Sequence, residues 1–236
     1  MLNKKVDCRK KKHMSKKICN DTKKKYKGNT DKLGIIVLDL DETLFHTKNS
    51  QIHYRPHLKN FLIYLNKFFY LVVYTAALKQ YADKILNKIY IDSSKNITAK
   101  SLFVLKLYRN SLTTEGKDLK VVLKKLLQKK LSNNLFIPNK YIYKQRNGKI
   151  VFNLNNIILI DNLKENFVDN QFFNGIPVKD FYQNNKDTTL LTLKNFFKSF
   201  LKQKLKDKSL TLKKYLYSNI YKINDVLKVK YNKCKI

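Results

Sequence analysis

Acidic residues are scarce in this chain: 17 Asp and Glu stand against 50 Lys and Arg, which gives a formal net charge of +33 at pH 7. Translation from an AT-rich genome would by itself make lysine abundant. Glutamate also has A-rich codons, however, and it occurs only as Glu42, Glu115 and Glu165. The imbalance therefore indicates pressure toward a positive surface. Such a surface attracts anionic partners, whether nucleic acids, acidic protein tails or phosphopeptides, and the charge alone does not distinguish among them.

Cysteines and long apolar runs are also few. Cys8, Cys19 and Cys234 are odd in number and have no zinc-type spacing, so we expect free thiols in a reducing compartment. The longest apolar runs, around residues 68–78 and 157–160, fall short of the ~20 residues that a membrane-spanning helix needs. The first residues are cationic without an apolar segment, which excludes a secretory signal. We therefore expect a soluble, intracellular protein without a membrane span.

Basic clusters mark both ends of the chain. Residues 1–32 contain RKKKHMSKK and TKKKYKG without apolar periodicity, which predicts a disordered arm. A solvated tail, a nuclear-import signal and an anion-binding arm all fit that composition. Residues 33–202 suit one domain, because 43% of the chain is hydrophobic and this is enough to close a core. Residues 203–236 are predicted as a basic, partly helical extension, and any nucleic-acid contact is expected through these basic tails.

Apolar strands alternate with amphipathic helices in the central segment. Four apolar runs are typical of buried strands, namely GIIVLDL, YLVVYTA, LFVLKLY and NNIILIDN. Four amphipathic segments are typical of helices, namely LKNFLIYLNKFF after Pro56, LKQYADKILNKIY, GKDLKVVLKKLLQKKL and TTLLTLKNFFKSFLKQKL. This order implies right-handed crossovers and a parallel sheet, so the predicted fold class is a three-layer, Rossmann-like α/β fold. KYIYKQRNGKIVFNL alternates around Asn147-Gly148 and predicts an inserted β-hairpin.

The few acids concentrate where buried strands end. IIVLDLD ends in Asp39 and Asp41, LVVYT in Thr75, and IILID in Asp161 followed by Asn162. Because the carboxyl ends of parallel strands face one crevice, we expect these side chains to meet. Any one aspartate after a strand would more simply be a helix cap or a turn residue. Three strand ends together predict an oxygen-rich site, and since close carboxylates repel one another, they predict a hard divalent cation such as Mg²⁺.

These motifs resemble a known family. DLDETLFHT resembles the signature of the haloacid-dehalogenase superfamily, and DLDETL resembles its branch of RNA polymerase II C-terminal-domain phosphatases and NLI-interacting-factor-like proteins. That branch also contains nuclear-envelope phosphatases and a mitochondrial import receptor subunit. Further family segments are matched in order over about residues 33–201, namely by YRPHLKNFL, VVYTAALKQYADKIL, GKDL, LIDN and GIPVKDFYQNNKDTTLLTLKNFF.

The resemblance implies a mechanism for phosphate-monoester hydrolysis. Asp39 would be the nucleophile that takes the phosphoryl group as an aspartyl-phosphate. Asp41 would protonate the leaving oxygen and later accept a proton from the attacking water. Mg²⁺ would be held by Asp39, Asp41, Asp161 and Asn162, with Asn162 favoured as the direct ligand and Asp161 anchoring the lysine or the water shell of the ion.

The resemblance also implies residues that hold the substrate. Thr75 would contact a phosphoryl oxygen, Lys117 would offset the negative charge of the phosphate, and Thr43 would brace the catalytic loop. Two alternatives stay open, since Lys120 is a rival for Lys117 and Thr75 is also suited to capping a helix. His46, His53 and His57 share no ligand spacing, and we predict surface or packing positions for them.

The chain departs from the family pattern in two places. FHTKNSQIHY leaves room only for a short flap before Arg55, which implies an open entrance, and DNLKEN lacks the usual Ser-Pro after Asp-Asn. The favoured hypothesis is a Mg²⁺-dependent phosphoserine/phosphothreonine protein phosphatase, with the RNA polymerase II C-terminal repeat as a candidate substrate. A nucleic-acid 3′-phosphatase and a catalytically silent binding scaffold are the alternatives. The basic arm suggests the nucleus or, for a viral protein, host cytoplasm or virion.

Overall fold

The structure is a computed structural model and describes residues 32–133, 141–144 and 150–229. The predicted basic arm up to residue 31, all three cysteines, the turn residues Asn147 and Gly148, and residues 230–236 lie outside the described residues. The strands are β1 Gly34–Leu38, β2 Phe45–Lys48, β3 Gln51–Tyr54, β4 Phe69–Tyr74, β5 Tyr90–Asp92, β6 Ile97–Thr98, β7 Phe103–Leu107, β8 Ile142–Lys144, β9 Ile150–Phe152, β10 Ile157–Asp161 and β11 Gly175–Pro177. The helices are α1 Leu58–Asn66, α2 Lys79–Lys88, α3 Leu119–Asn133, α4 Thr189–Lys206 and α5 Leu212–Leu227.

A five-stranded parallel sheet forms the centre of the molecule, with strand order β11-β10-β1-β4-β7. Every residue of β1, β4 and β10 is buried, as their apolar, β-branched composition predicts. The side chains alternate between two cores. Ile36 and Leu38 face a core that includes α1, α2, α4 and α5, whereas Ile35 and Val37 face one that includes α3. The predicted three-layer α/β fold is confirmed.

Two small hairpins flank the sheet. β8 and β9 pair antiparallel, with Ile142 opposite Phe152, which confirms the inserted hairpin. The short flap is an antiparallel hairpin of β2 and β3. Asn49 and Ser50 connect its strands with positive φ values of 48° and 63°, a backbone geometry that suits a tight hairpin turn.

The segment after residue 203 is more ordered than its lysine content suggested. α4 continues to Lys206, and α5 packs Leu212, Leu216 and Ile220 into the same core as α4. Thr211 caps α5 by accepting a hydrogen bond from the Lys214 backbone N–H at 3.2 Å. A Cβ on Gly34 would lie 2.7 Å from the Asn156 backbone carbonyl oxygen and 2.5 Å from Leu212 Cδ1, so glycine allows the backbone before β10 to approach β1 this closely.

In the described ranges, none of the helices combines the length and apolarity that crossing a membrane requires.

Candidate active site

The polar residues that follow the three central strands meet at one edge of the sheet. Asp39 follows β1, Thr75 follows β4, and Asp161 ends β10. These strands are parallel neighbours, so their carboxyl ends lie side by side. Asp39 is 6% exposed, Thr75 is 1% exposed and Asp161 is fully buried. Polar groups buried to this extent need partners, and their partners define the site.

Lys117 lies between two of these carboxylates. Its Nζ donates to Asp39 Oδ1 at 2.5 Å and to Asp161 Oδ2 at 2.6 Å, and the side chain is fully buried. The preceding residue, Gly116, has a φ of +115°, and a Cβ there would lie 2.8 Å from the Glu165 carbonyl oxygen. Glycine therefore allows this loop to approach residues 165–166, where the Lys117 backbone N–H donates to the Asn166 carbonyl at 2.9 Å. Lys120, the rival lysine, is exposed.

Asp161 is surrounded by hydrogen-bond donors. Besides Lys117, Asn166 Nδ2 donates to Asp161 Oδ1 at 3.0 Å and to Oδ2 at 3.1 Å. The Leu163 backbone N–H donates to Oδ1 at 2.9 Å. Because both oxygens are already engaged, this arrangement favours Asp161 as the anchor of Lys117 over Asp161 as a metal ligand.

Thr43 joins the oxygens on the opposite side of Asp39. Its hydroxyl lies 3.1 Å from Asp39 Oδ2 and 2.8 Å from Asn162 Oδ1, and it accepts the Asn162 backbone N–H at 3.2 Å. Asn162 Nδ2 donates to Asp180 Oδ1 at 2.8 Å, which fixes the amide so that its oxygen points toward Thr43. One carboxylate and one amide oxygen therefore converge here, and oxygen donors of this kind suit Mg²⁺.

The three aspartates are separated from one another by other side chains. Across residues 32–133, 141–144 and 150–229, no group of three or more His, Cys, Asp or Glu side chains is arranged to hold a metal ion. The physical reason is that the Lys117 ammonium lies between Asp39 and Asp161, while Asp41 faces a different partner. The predicted ligand set of Asp39, Asp41, Asp161 and Asn162 stays a prediction, and Asp39 Oδ2 and Asn162 Oδ1 are the donors that converge.

Asp41 is held by a tyrosine that the sequence interpretation did not single out. The Tyr81 hydroxyl, on α2, donates to Asp41 Oδ1 at 2.7 Å. Thr47 Oγ1, in strand β2 of the flap, lies 2.9 Å from the same hydroxyl. Glu42 has a positive φ of 55°, which turns the chain immediately after Asp41. Tyr81 therefore connects Asp41 to the short flap.

Both candidate catalytic carboxyls have raised pKa values. Burial raises the pKa of Asp39 to about 7, and the charge of Asp161 adds to this rise while Lys117 opposes it. Burial also raises the pKa of Asp41, although the hydrogen bond from Tyr81 lowers it in part. The two carboxylates raise the pKa of Lys117 despite its burial, so the ammonium stays charged. One buried ammonium facing Asp39 and Asp161 leaves a net charge of −1 when both are ionised, which an added cation would offset.

Arg55 is a second residue that the sequence interpretation left without a role. It is 1% exposed and donates to the Thr43 carbonyl at 2.8 Å and to the Lys179 carbonyl at 2.6 Å. Its Nε and Nη2 each lie 3.1 Å from one carboxylate oxygen of Asp187. Arg55 thus joins the loop that follows β1 to the segment that follows β11. Arginine is rare in this lysine-rich chain. The choice of arginine at position 55 was therefore the sequence signal for a position that needs a planar guanidinium group.

Thr75 begins the segment that leads into α2. Its Oγ1 accepts the Ala77 backbone N–H at 3.1 Å, whereas α2 begins at Lys79 and has no side-chain cap at Leu78. The helix-cap alternative for Thr75 is therefore wrong. The same segment borders an open cavity of ≈ 410 Å³ lined by Asp41, Ala76, Ala77, Leu78, Tyr81 and Arg109.

The histidines lie outside this network. His46 Nδ1 is 3.0 Å from Glu42 Oε1, and its ring meets Tyr182 edge to face. His53 is opposite His46 in the flap hairpin. His57 is exposed and precedes α1. These positions agree with the surface and packing roles predicted for all three.

Comparison with known proteins places these motifs in a phosphatase family. A family model described as NLI interacting factor-like phosphatase matches residues 34–209. CTD small phosphatase-like protein 3 of Caenorhabditis elegans is 27% identical over 190 residues, which cover 70% of this chain and 53% of that protein. Nuclear envelope morphology protein 1 of Saccharomyces cerevisiae is 27% identical over 203 residues, which cover 72% of this chain and 40% of that protein. The chain thus spans about half the length of these relatives.

A solved structure also aligns with the chain. The structure of Fcp1, an essential RNA polymerase II CTD phosphatase, aligns with 92% of this chain and 65% of that chain, at 16% sequence identity and a TM-score of 0.41.

Proposed function

Because the chain belongs to the NLI interacting factor-like phosphatase family, a branch of the haloacid-dehalogenase superfamily, we propose that it is a Mg²⁺-dependent phosphoserine/phosphothreonine protein phosphatase. The observation that carries the proposal is the buried contact of Asp39 with Lys117 at the carboxyl edge of the sheet. Asp41 follows two residues later and has a separate partner in Tyr81. Two carboxyls in different environments suit a nucleophile and a general acid.

In the first chemical step, a carboxylate oxygen of Asp39 attacks phosphorus. The bond from phosphorus to the serine or threonine oxygen breaks, and Asp41 gives its proton to that leaving oxygen. The raised pKa of Asp41 favours the protonated form that this step needs. The ammonium of Lys117 favours the ionised form of Asp39.

In the second step, water attacks the phosphorus of the aspartyl-phosphate. Asp41 now accepts the proton of that water, the Asp39–phosphorus bond breaks, and inorganic phosphate and the free carboxylate remain. Tyr81 keeps a hydrogen bond to Asp41 available in both steps, since a hydroxyl can donate to the carboxylate or accept from the acid.

Residues around Asp39 fit both the cation and the phosphoryl group. Asp39 Oδ2 and Asn162 Oδ1 would hold Mg²⁺, which would offset the negative charge of the transferring phosphoryl group. Thr75 accepts the Ala77 N–H, so its own proton is free to be donated to a phosphoryl oxygen. Lys117 supplies a fixed positive charge beside the nucleophile.

An open entrance supports an extended peptide as the substrate. The cavity beside Asp41 is bordered by Leu78, which is 59% exposed, and by Arg109, which is exposed and fixed by donation from its Nε to the Ala76 carbonyl at 2.8 Å. An apolar side chain and a guanidinium next to the catalytic carboxyls suit the residues that flank a phosphorylated side chain. The RNA polymerase II C-terminal repeat is our candidate substrate and the nucleus our candidate location.

Net charge favours one alternative enzyme. With a formal charge of +33, the chain would attract nucleic acid, so a 3′-phosphatase that uses the same Asp39 chemistry is the second candidate. A catalytically silent scaffold is the third reading of the fold. It is disfavoured because Asp39, Asp41, Thr75, Lys117 and Asp161 are all present.

A substrate panel separates these functions. We would measure turnover with Mg²⁺ and with chelator for three kinds of substrate: an aryl phosphate, phosphoserine and phosphothreonine peptides, and 3′-phosphorylated oligonucleotides. We expect hydrolysis of the aryl phosphate and the phosphopeptides, loss with chelator, and loss of about 10⁴-fold or more in Asp39→Asn. Asp92→Asn, at an exposed carboxyl that caps Ser94, should leave turnover unchanged. Exclusive hydrolysis of oligonucleotides would establish the 3′-phosphatase, and no turnover by the wild-type protein would support the scaffold.

A further inference from the structure

The outward face of α5 carries aromatic rings that the core does not use. Tyr217 is 62% exposed and Tyr221 is 82% exposed, one helical turn further along. The Phe173 ring, 40% exposed, extends this row, because it meets the Tyr217 ring at 5.1 Å between centroids. On the opposite side, α5 already packs its apolar residues into the core, so the exposed rings add little to folding stability. Exposed rings in a row are stacking surfaces.

A row of lysines runs beside the aromatic row. This lysine row consists of Lys214 and Lys222, which flank Ser218 at four-residue spacing, and of the half-buried Lys213, which stands at the start of the aromatic row, four residues before Tyr217. Within the part of the chain that the structure describes, the ammonium groups of these three lysines form no ion pair. Asp225, exposed and four residues after Tyr221 on the same face, is the single acidic residue of α5, so the three lysines leave an excess of two positive charges there. The face is therefore positively charged as well as aromatic.

A groove borders the same face. α4 and α5 enclose a cavity of ≈ 340 Å³, whose lining includes Ser199, Asn219 and Lys222. Hydroxyl, amide and ammonium groups are the donors that commonly contact sugars and phosphates. Lys222 thus belongs both to the lysine row and to this groove, whose lining also includes apolar side chains such as Phe196 and Ile223.

We propose that the outward face of α5, formed by Tyr217, Tyr221 and the lysine row, binds single-stranded nucleic acid. Bases stack on the two tyrosine rings, and phosphates lie along Lys213, Lys214 and Lys222. A single strand fits because its bases are free to stack, whereas a duplex hides them. An anionic membrane fits less well, since an interfacial helix needs a free apolar face and that of α5 is buried. This binding is separate from the chemistry at Asp39.

The test is oligonucleotide binding by the full chain. Fluorescence anisotropy of labelled oligo-dT and oligo-U, from about 50 to 200 mM salt, gives the affinity and its salt dependence. We expect Tyr217→Ala/Tyr221→Ala to weaken binding about tenfold or more, because stacking on each ring is lost. Tyr90→Ala is the matched control, since Tyr90 is 50% exposed in β5, away from α5. Melting temperature and aryl-phosphate turnover should be the same in all three proteins.

The lysine row is tested through the salt dependence. Lys213→Gln/Lys214→Gln/Lys222→Gln should reduce the slope of log affinity against log salt by about 2, because three phosphate contacts are lost. The control variant is Lys84→Gln/Lys88→Gln/Lys95→Gln, which removes the same charge from exposed positions elsewhere. It should change the slope of log affinity against log salt much less. Wild-type affinity in the tyrosine variant would overturn the proposal. It would equally be overturned by binding to phosphatidylserine vesicles without oligonucleotide binding, or by binding that only deletion of residues 1–31 removes.

Discussion

Lysine and tyrosine occur in opposite circumstances in two parts of this molecule. At the carboxyl edge of the sheet, Lys117 is 1% exposed and contacts two carboxylates, and the Tyr81 hydroxyl is bonded to Asp41. On α5, Lys214 and Tyr221 project into solvent. A buried charge must be matched by partners or it destabilises the fold, whereas an exposed charge is stabilised by water. The same residue types should therefore respond very differently to substitution in the two regions.

The largest contrast is expected for removal of a lysine charge. Lys117→Met leaves Asp39 and Asp161 buried without their shared cation and should destabilise the protein by about 3–5 kcal/mol. The loss should be greater at pH 8 than at pH 5, because Lys117 lowers the pKa of Asp39 and its removal raises that pKa further, so that folding at pH 8 must either protonate Asp39 or bury its charge unpaired. Urea unfolding at the two pH values measures both effects. Lys214→Met should change stability by less than about 0.5 kcal/mol, and equal losses at the two lysines would remove the contrast.

A smaller loss is expected when the buried arginine becomes lysine. Arg55→Lys keeps the charge but loses the bidentate contact with Asp187 and at least one carbonyl contact, so we expect a cost of about 2–3 kcal/mol. Turnover should also fall, because Arg55 positions the loop that carries Asp41 and Thr43. The reverse exchange, Lys214→Arg on α5, is the control and should be neutral. Thermal unfolding measures both, and a neutral Arg55→Lys would show that the fork geometry does not matter.

The buried strands and their polar ends were predictable from the sequence, since apolar β-branched runs followed by Asp39, Thr75 and Asp161 indicate one edge of a parallel sheet. The arrangement of the carboxylates around Lys117 was less predictable. Spacing shows that carboxylates meet, but it does not show that a lysine distant in sequence lies between two of them. Lys117 could be favoured only through the GKDL motif, whose glycine permits the close approach to residues 165–166.

Other parts of the structure depend on contacts that a single sequence does not display. β11 has three residues and ends in Pro177, too short a run for an apolar pattern. The lysines of α5 conceal its amphipathic periodicity, although Leu212, Leu216 and Ile220 follow it. The contacts of Tyr81 and Arg55 join elements far apart in the chain. Their residue types suggested polar roles but not their partners.

Stabilisation of the protein by Mg²⁺ should depend on pH through Asp39 and should not depend on the lysines of α5. Because burial raises the pKa of Asp39 to about 7, protonation should compete with Mg²⁺ below that pH, and the apparent affinity should fall about tenfold per pH unit. Mg²⁺ should therefore raise the melting temperature at pH 8 and have little effect at pH 5.5. The α5 triple lysine variant should keep this response, and Asp39→Asn should lose it. A response independent of pH would contradict the assignment of Asp39 as a ligand.

The smallest effect is expected for a single hydroxyl in each region. Tyr81→Phe removes the hydrogen bond to Asp41. It should lower kcat by several-fold, which corresponds to the free energy of about 1 kcal/mol that one such bond contributes. That bond lowers the pKa of Asp41, so its loss should raise the pKa further. Asp41 would then stay protonated to higher pH, and the alkaline limb of the kcat profile should move upward. Tyr221→Phe should alter neither quantity, because its hydroxyl is on the outward face of α5. An unchanged alkaline limb in Tyr81→Phe would mean that Tyr81 packs against the flap without controlling the proton of Asp41.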